Sequence, residues 1–205
     1  MPTVLITAFE PYDSWRENSS WLALLELTRD LPVEPRVVTR RYPVDFPTAR
    51  QKLEHDLQAN YDYALHLGQA PGSGRVALEA IGLNIGGLSS QLPDQFQPLD
   101  LEGPIAYRSD LPLADWAARI REAGIPAAVS YHAGTYLCNA ALYLSLHIAK
   151  TRGLKTRSTF IHLPLAQQQV LGQRSDVATM PSEHAAAAVK VILAAIANDQ
   201  PTLTV

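Results

Sequence analysis

Cys138 is the one cysteine of the chain, and it follows a short predicted strand and the turn His132-Ala133-Gly134. It falls in the first turn of a predicted helix, where the amide dipole favours an anion. That place suits a nucleophilic sulfur, and the unpaired N–H groups of the same turn suit a developing oxyanion. A lone cysteine beside Leu137 and Ala141 equally fits a small core side chain. His162 closes a second predicted strand, just before Leu163-Pro164. Twenty-four residues separate it from Cys138, enough for one helix and one return strand. A crossover of that length returns the chain beside its start, so both residues are expected at carboxyl ends on one side of a sheet. An imidazole placed there takes a thiol proton and later gives it to a leaving amine. A satisfied core histidine is the plainer alternative. Glu79 shares a face with Ala77, Ile81, Leu83 and Ile85 if 76–85 is one strand. A carboxylate on such a face is rarely buried unless paired, and a histidine is a natural partner. If the strand begins later, Glu79 is merely solvated.

These three residues need elements to hold them. Val4–Ala8 is a continuous apolar run, as in a strand buried on both faces. Strands are likewise expected over 36–42, 63–67, 76–85, 127–131 and 158–163. Helices are expected over 21–29 with a Ser19 or Ser20 cap, and over 46–59. Others span 113–123, 135–152, and 182–198 with Ser182 capping. Residues 86–110 are punctuated by Pro and Gly and read as a long loop or hairpin covering a site. The alternation predicts a single three-layer α/β/α domain over residues 1–205. Its sheet is twisted and largely parallel, with helices on both faces. Sites in such folds gather after strand carboxyl ends, here Ala8, Leu67, Tyr131 and Leu163.

Composition narrows the function classes. The chain has 205 residues, 47% of them hydrophobic and 18% charged, which excludes intrinsic disorder. A net charge of −3 without a basic block argues against nucleic-acid binding. The apolar stretch Ala185 to Ala197 is too short to span a bilayer, and MPTVLITAFEPYD reads as a buried strand rather than a signal peptide. One cysteine permits no internal disulfide, which fits a soluble cytoplasmic protein. The six histidines show no metal-ligand spacing, so neither a metal nor another cofactor is expected. Residues 68–75, GQAPGSGR, are glycine-rich but lack the lysine and spacing of a phosphate loop. No GxSxG elbow occurs. Phe9, Tyr12, Trp15 and Trp21 give the first loop an aromatic character that suits an apolar pocket wall.

Four segments together resemble the pyroglutamyl peptidase I family of cysteine peptidases. LITAFEPYDSWRENSSW is similar to that family's GFxPFGG…NPSW, and HLGQAPGSGRVALEAIGLN to its GQAGGR…LERxAxN. YHAGTYLCNAALYLSLH is similar to its AGTFVCN nucleophile motif, and FIHLPL to its FIHxP. The matches run in order from residue 5 to 165. The resemblance implies a triad with Cys138 as nucleophile, His162 as base and Glu79 as orienting acid. It implies removal of an N-terminal pyroglutamyl residue from peptides. Phe9 and Tyr12 would flank the lactam ring, main-chain groups at Gln69 would hold it, and Tyr136 and Leu137 would complete the substrate site. A homo-oligomer, often a tetramer in the family, is implied as well.

The chain departs from the family pattern at three places. Ala8 replaces a glycine, and Tyr12-Asp13-Ser14 stands where Phe-Gly-Gly is usual. The family's arginine before its IPDN segment has no counterpart in residues 87–94. Two other readings therefore accompany the first. One is a triad hydrolase of another small cyclic amide or N-acyl group. The other is a weakly active homologue that binds blocked peptide ends.

Overall fold

Period-two alternation sends successive strand residues to opposite sides of the central sheet. Val4, Ile6 and Ala8 face one core, whereas Leu5 and Phe9 face the other. The computed structural model describes residues 1–88, 90–171 and 176–198. In chain order the elements are β1 (Thr3–Phe9), α1 (Ser19–Thr28), β2 (Arg36–Tyr42), α2 (Phe46–Asp56), β3 (Tyr63–Gln69), β4 (Val76–Glu79), β5 (Ile81–Leu83) and β6 (Ala106–Arg108). Then come α3 (Leu113–Glu122), β7 (Ala127–Ser130), α4 (Leu137–Thr151), β8 (Arg157–Leu163), β9 (Leu165–Ala166), α5 (Gln167–Val170), β10 (Thr179–Met180) and α6 (Ser182–Asn198).

The main sheet runs β2-β1-β3-β8-β4-β7. Strands β2, β1, β3 and β8 are mutually parallel. Strand β4 is antiparallel to β8 and parallel to β7. Helices α1, α3 and α6 pack on one face through Leu24, Trp116 and Ile192. Helices α2 and α4 pack on the other through Leu53 and Leu142. The architecture is thus the expected α/β arrangement of a largely parallel sheet between helical layers. Edge strand β2 carries Arg36, Arg40 and Arg41, whose charge discourages a further strand from pairing there. Among the described residues no helix is long and apolar enough to cross a membrane.

Several local expectations need correction. Asn18, not a serine, caps α1: its side chain accepts from the Ser20 N–H, and Ser19 and Ser20 are already helical. Its Nδ2 also donates to the Glu10 carbonyl, which folds the first loop back on itself. The helix expected over 46–59 ends as a 3-10 turn, Leu57–Ala59, closed by Asn60 at φ 51°. Residues 76–85 are two strands, not one. β4 lies in the main sheet, and β5 pairs with β6 in a separate hairpin. Helix α4 starts two residues later than expected. Ser182 is the first residue of α6 rather than its cap, and the Pro181 carbonyl accepts from His184 and Ala185.

The largest correction concerns strand order. β7 and β8 are not neighbours, because β4 is inserted between them, and β7 runs opposite to β8. The chain from β7 must therefore double back over residues 131–136 before α4 begins. Gly134 takes that turn at φ 80°, a conformation that a Cβ would strain.

Candidate active site

Strand β8 places His162 one residue from its carboxyl end, on the same face as Phe160 and hence toward α4. Strand β4 places Glu79 opposite Phe160 and Ala77 opposite His162. Glu79 and His162 are therefore diagonal neighbours on one face, within side-chain reach. His162 Nδ1 lies 2.7 Å from Glu79 Oε1. The Glu79 side chain is 2% exposed and that of His162 13%. The Thr159 hydroxyl donates to the Glu79 carbonyl and pins the end of β4 to β8.

Cys138 is the second residue of α4 and is half-buried. The helix cap, Tyr136, has extended backbone and offers no side-chain cap bond. The first-turn N–H groups thus keep their capacity for an oxyanion. Asn139, next to the sulfur, is fully buried. Its amide donates to the carbonyls of Leu83 and Ile85, and its oxygen accepts from the Leu83 N–H. The start of α4 is in this way clamped to β5. On the other side Gly68 lies in register with His162. A Cβ at Gly68 would collide with the Phe160 ring and stand 3.3 Å from Cys138 Sγ. Glycine there makes room for both the ring and the sulfur.

Burial opposes charge on His162. The Cys138 sulfur, through its charge and a hydrogen bond, and then Glu79 override it and push the imidazole up to about 10. The ring is held between the Cys138 sulfur and the buried Glu79 side chain, and both favour its protonated form. The arrangement supports nucleophilic attack by sulfur and proton delivery by the ring.

Cys138 and His162 open into a cavity of ≈ 350 Å³. Phe9, Tyr12, Gln69, Tyr136 and Leu137 all line it, whereas Glu79 stands behind His162 and does not. Phe9 is 4% exposed and packs on Tyr42 and Phe160 at centroid distances of 6.2 Å and 6.1 Å. The Tyr136 hydroxyl donates to the Val44 carbonyl. Burial, then the charge of the Cys138 sulfur, raises the Tyr12 phenol to about 12, against a smaller opposing effect of Gln69. Trp15, Trp21 and Arg75 are not among the lining residues. The segment 86–110, expected to cover a site, docks on α4 through Tyr107, whose hydroxyl meets His147 Nδ1 at 3.1 Å, and its Leu88 and Ser90 line an adjoining cavity with Tyr12, Val44 and Tyr136. Its Ser89 lies outside the described residues.

Sequence reasoning missed Asn18, Val44 and the turn 133–135 as cavity lining, and Asn139 and Gln169 as supports. Asn139 stood inside the nucleophile motif and was open to discovery there. Val44 lies outside the four segments and Gln169 just past FIHLPL, and neither left a local signal. Among the described residues no group of His, Cys, Asp and Glu is arranged to hold a metal ion.

The model of the pyroglutamyl peptidase family matches residues 2–199. The chain belongs to that family. A pyrrolidone-carboxylate peptidase of Clavibacter michiganensis is 35% identical, over 97% of this chain and 94% of its own. One from Erwinia tasmaniensis is 39% identical over 83% of this chain and 82% of its own. Among solved structures, the pyrrolidone carboxyl peptidase of Fervidobacterium islandicum superposes with a TM-score of 0.89 at 30% identity, covering 96% of this chain and 98% of that one. A mutant of the Pyrococcus furiosus enzyme gives 0.87 at 32% identity, covering 96% and 98%. This pyroglutamyl peptidase family member thus shares both sequence and architecture with its relatives along nearly all of its length.

Proposed function

We propose that the chain is a cysteine exopeptidase that removes an N-terminal pyroglutamyl residue from peptides. The observation that carries this reading is the Glu79–His162–Cys138 chain opening into an apolar cavity. The lactam ring of a pyroglutamyl group is compact and neutral, and the cavity lining includes no Lys, Arg, Asp or Glu. A blocked N-terminus has no ammonium group, so it asks for no charged anchor. In this proposal the ring sits beside Phe9 and Tyr12, with Gln69, Tyr136 and Leu137 completing the slot. A homo-oligomer in the reducing cytoplasm accompanies the family reading.

The reaction follows from the placed groups. Cys138 Sγ attacks the pyroglutamyl carbonyl and its electron pair forms the C–S bond. The carbonyl π pair moves to oxygen, which meets the N–H groups at the start of α4. His162, oriented and charge-stabilised by Glu79, passes its proton to the departing amine as the C–N bond breaks. Water then hydrolyses the thioester, with His162 taking the proton of the attacking water.

Release of a chromophore from a pyroglutamyl amide tests this, with a glutamyl amide bearing a free amine as control. Wild-type protein should cleave the first only. Cys138→Ala should abolish turnover while the circular dichroism spectrum stays unchanged. Retained turnover in pure variant protein would rule out the thioester route. Cleavage of another N-acyl amide in place of the pyroglutamyl one would move the assignment to that acyl group.

A further inference from the structure

Two side-chain donors of the cavity lining are spent on backbone carbonyls. Asn18 Nδ2 goes to the Glu10 carbonyl, and the Tyr136 hydroxyl goes to the Val44 carbonyl. Gln69 is 4% exposed, and its Oε1 accepts from the Ser19 N–H at 3.0 Å and from Gln169 Nε2 at 2.7 Å. With its oxygen doubly occupied, the carboxamide turns its Nε2 elsewhere. That atom is buried and has no hydrogen-bond partner. Its effect on the Tyr12 phenol is to favour the ionised form, as only the N–H end of an amide facing that oxygen does.

A carboxamide nitrogen donates and never accepts. A phenolic hydrogen stays near the ring plane and has two positions. If the Gln69 N–H occupies one side of the Tyr12 oxygen, the Tyr12 hydrogen takes the other. Tyr12 lines the cavity together with Cys138, and its oxygen feels the charge on the sulfur. An oxyanion formed at a carbon bonded to that sulfur lies in the same region. The phenol also keeps its proton to about 12, so it remains a neutral donor throughout the working range.

We propose that Tyr12 is a catalytic residue: its hydroxyl donates a hydrogen bond to the scissile carbonyl oxygen as that oxygen becomes an oxyanion. No proton leaves Tyr12 in this step. The Cys138 electron pair forms the C–S bond, the π pair moves onto oxygen, and Tyr12 joins the first-turn N–H groups of α4 in holding the charge. The Ser19–Gln69–Gln169 set fixes the carboxamide beside it. The proposal rests on the peptidase reading above.

The test compares wild type with Tyr12→Phe, which keeps the ring and removes the donor. Both are assayed on the pyroglutamyl amide, and both are alkylated with iodoacetamide to read the sulfur alone. The expected result is a kcat lower by about a hundred-fold, with KM within about two-fold and an unchanged alkylation rate. Unchanged kcat would overturn the proposal, as would a rise in KM alone, which would make Tyr12 a wall of the slot. An alkylation rate that falls in step with kcat would also overturn it, because the hydroxyl would then be acting on the sulfur. A wild type inactive on pyroglutamyl amides would sink the parent reading, whereas an active wild type matched by Tyr12→Phe would sink this inference alone.

Discussion

Glu79 shows how one buried carboxylate decides what its neighbour does. Its 2.7 Å contact orients the His162 ring and favours the imidazolium. Glu79→Gln keeps a hydrogen-bonding partner of the same shape but removes the charge. In that variant kcat should fall on the order of 10³–10⁴-fold, the loss seen when an amide replaces an orienting carboxylate. The pH profile carries a second readout. His162 must be protonated to deliver its proton, so activity is lost as pH rises through its value of about 10. Without the Glu79 charge that value falls, and the alkaline limb should move to lower pH. An alkaline limb that stays in place would detach Glu79 from the titration.

At the scale of elements, the site depends on how α4 is anchored. Helix α4 carries Cys138 on its first turn, where helices fray most easily. Asn139 counters this by fixing that turn to β5 through three backbone groups. Asn139→Ala leaves those groups without their partner and opens a small void. The expected cost is about 3 kcal/mol, read from the urea midpoint with an unchanged slope. Activity per folded molecule should drop as well, since Cys138 would lose its fixed position relative to His162. The hairpin of β5 and β6 is thereby a brace for the helix that carries Cys138.

For the whole molecule, acid stability turns on a histidine the chemistry does not use. His66 is fully buried on the α2/α4 side of β3, with Nδ1 2.8 Å from the Thr7 hydroxyl. Burial pushes its pKa down to about 4. The folded state then refuses a proton that the unfolded state accepts near 6.5. Stability contributed by neutral His66 is full above about 6.5 and declines as pH falls toward 4. Between pH 7 and pH 5 the loss from this group should be about 2 kcal/mol. His66→Gln removes the titration, and its urea midpoint should change less over the same interval than that of wild type. Equal slopes in the two proteins would refute this account.

Local pattern carried much of this protein. The segments 4–8, 63–67 and 158–163 are strands because alternate residues meet a core on each face. The candidate site residues were legible because a helix start and strand ends advertise themselves in sequence, and because four ordered segments resemble one family. Periodicity could not reveal which strands neighbour which. β4 lies between β7 and β8 and runs opposite to β8, so Cys138 reaches His162 by a doubled-back turn rather than a parallel crossover. Nor could it show that 76–85 divides between two sheets, or that Asn18 displaces the serines as cap by also tying down Glu10. Glu79 and His162 stand 83 positions apart and Gln69 and Gln169 100 apart. Such pairings form only when the sheet closes, because their energy comes from desolvated contacts between distant segments and not from the conformational preference of either one.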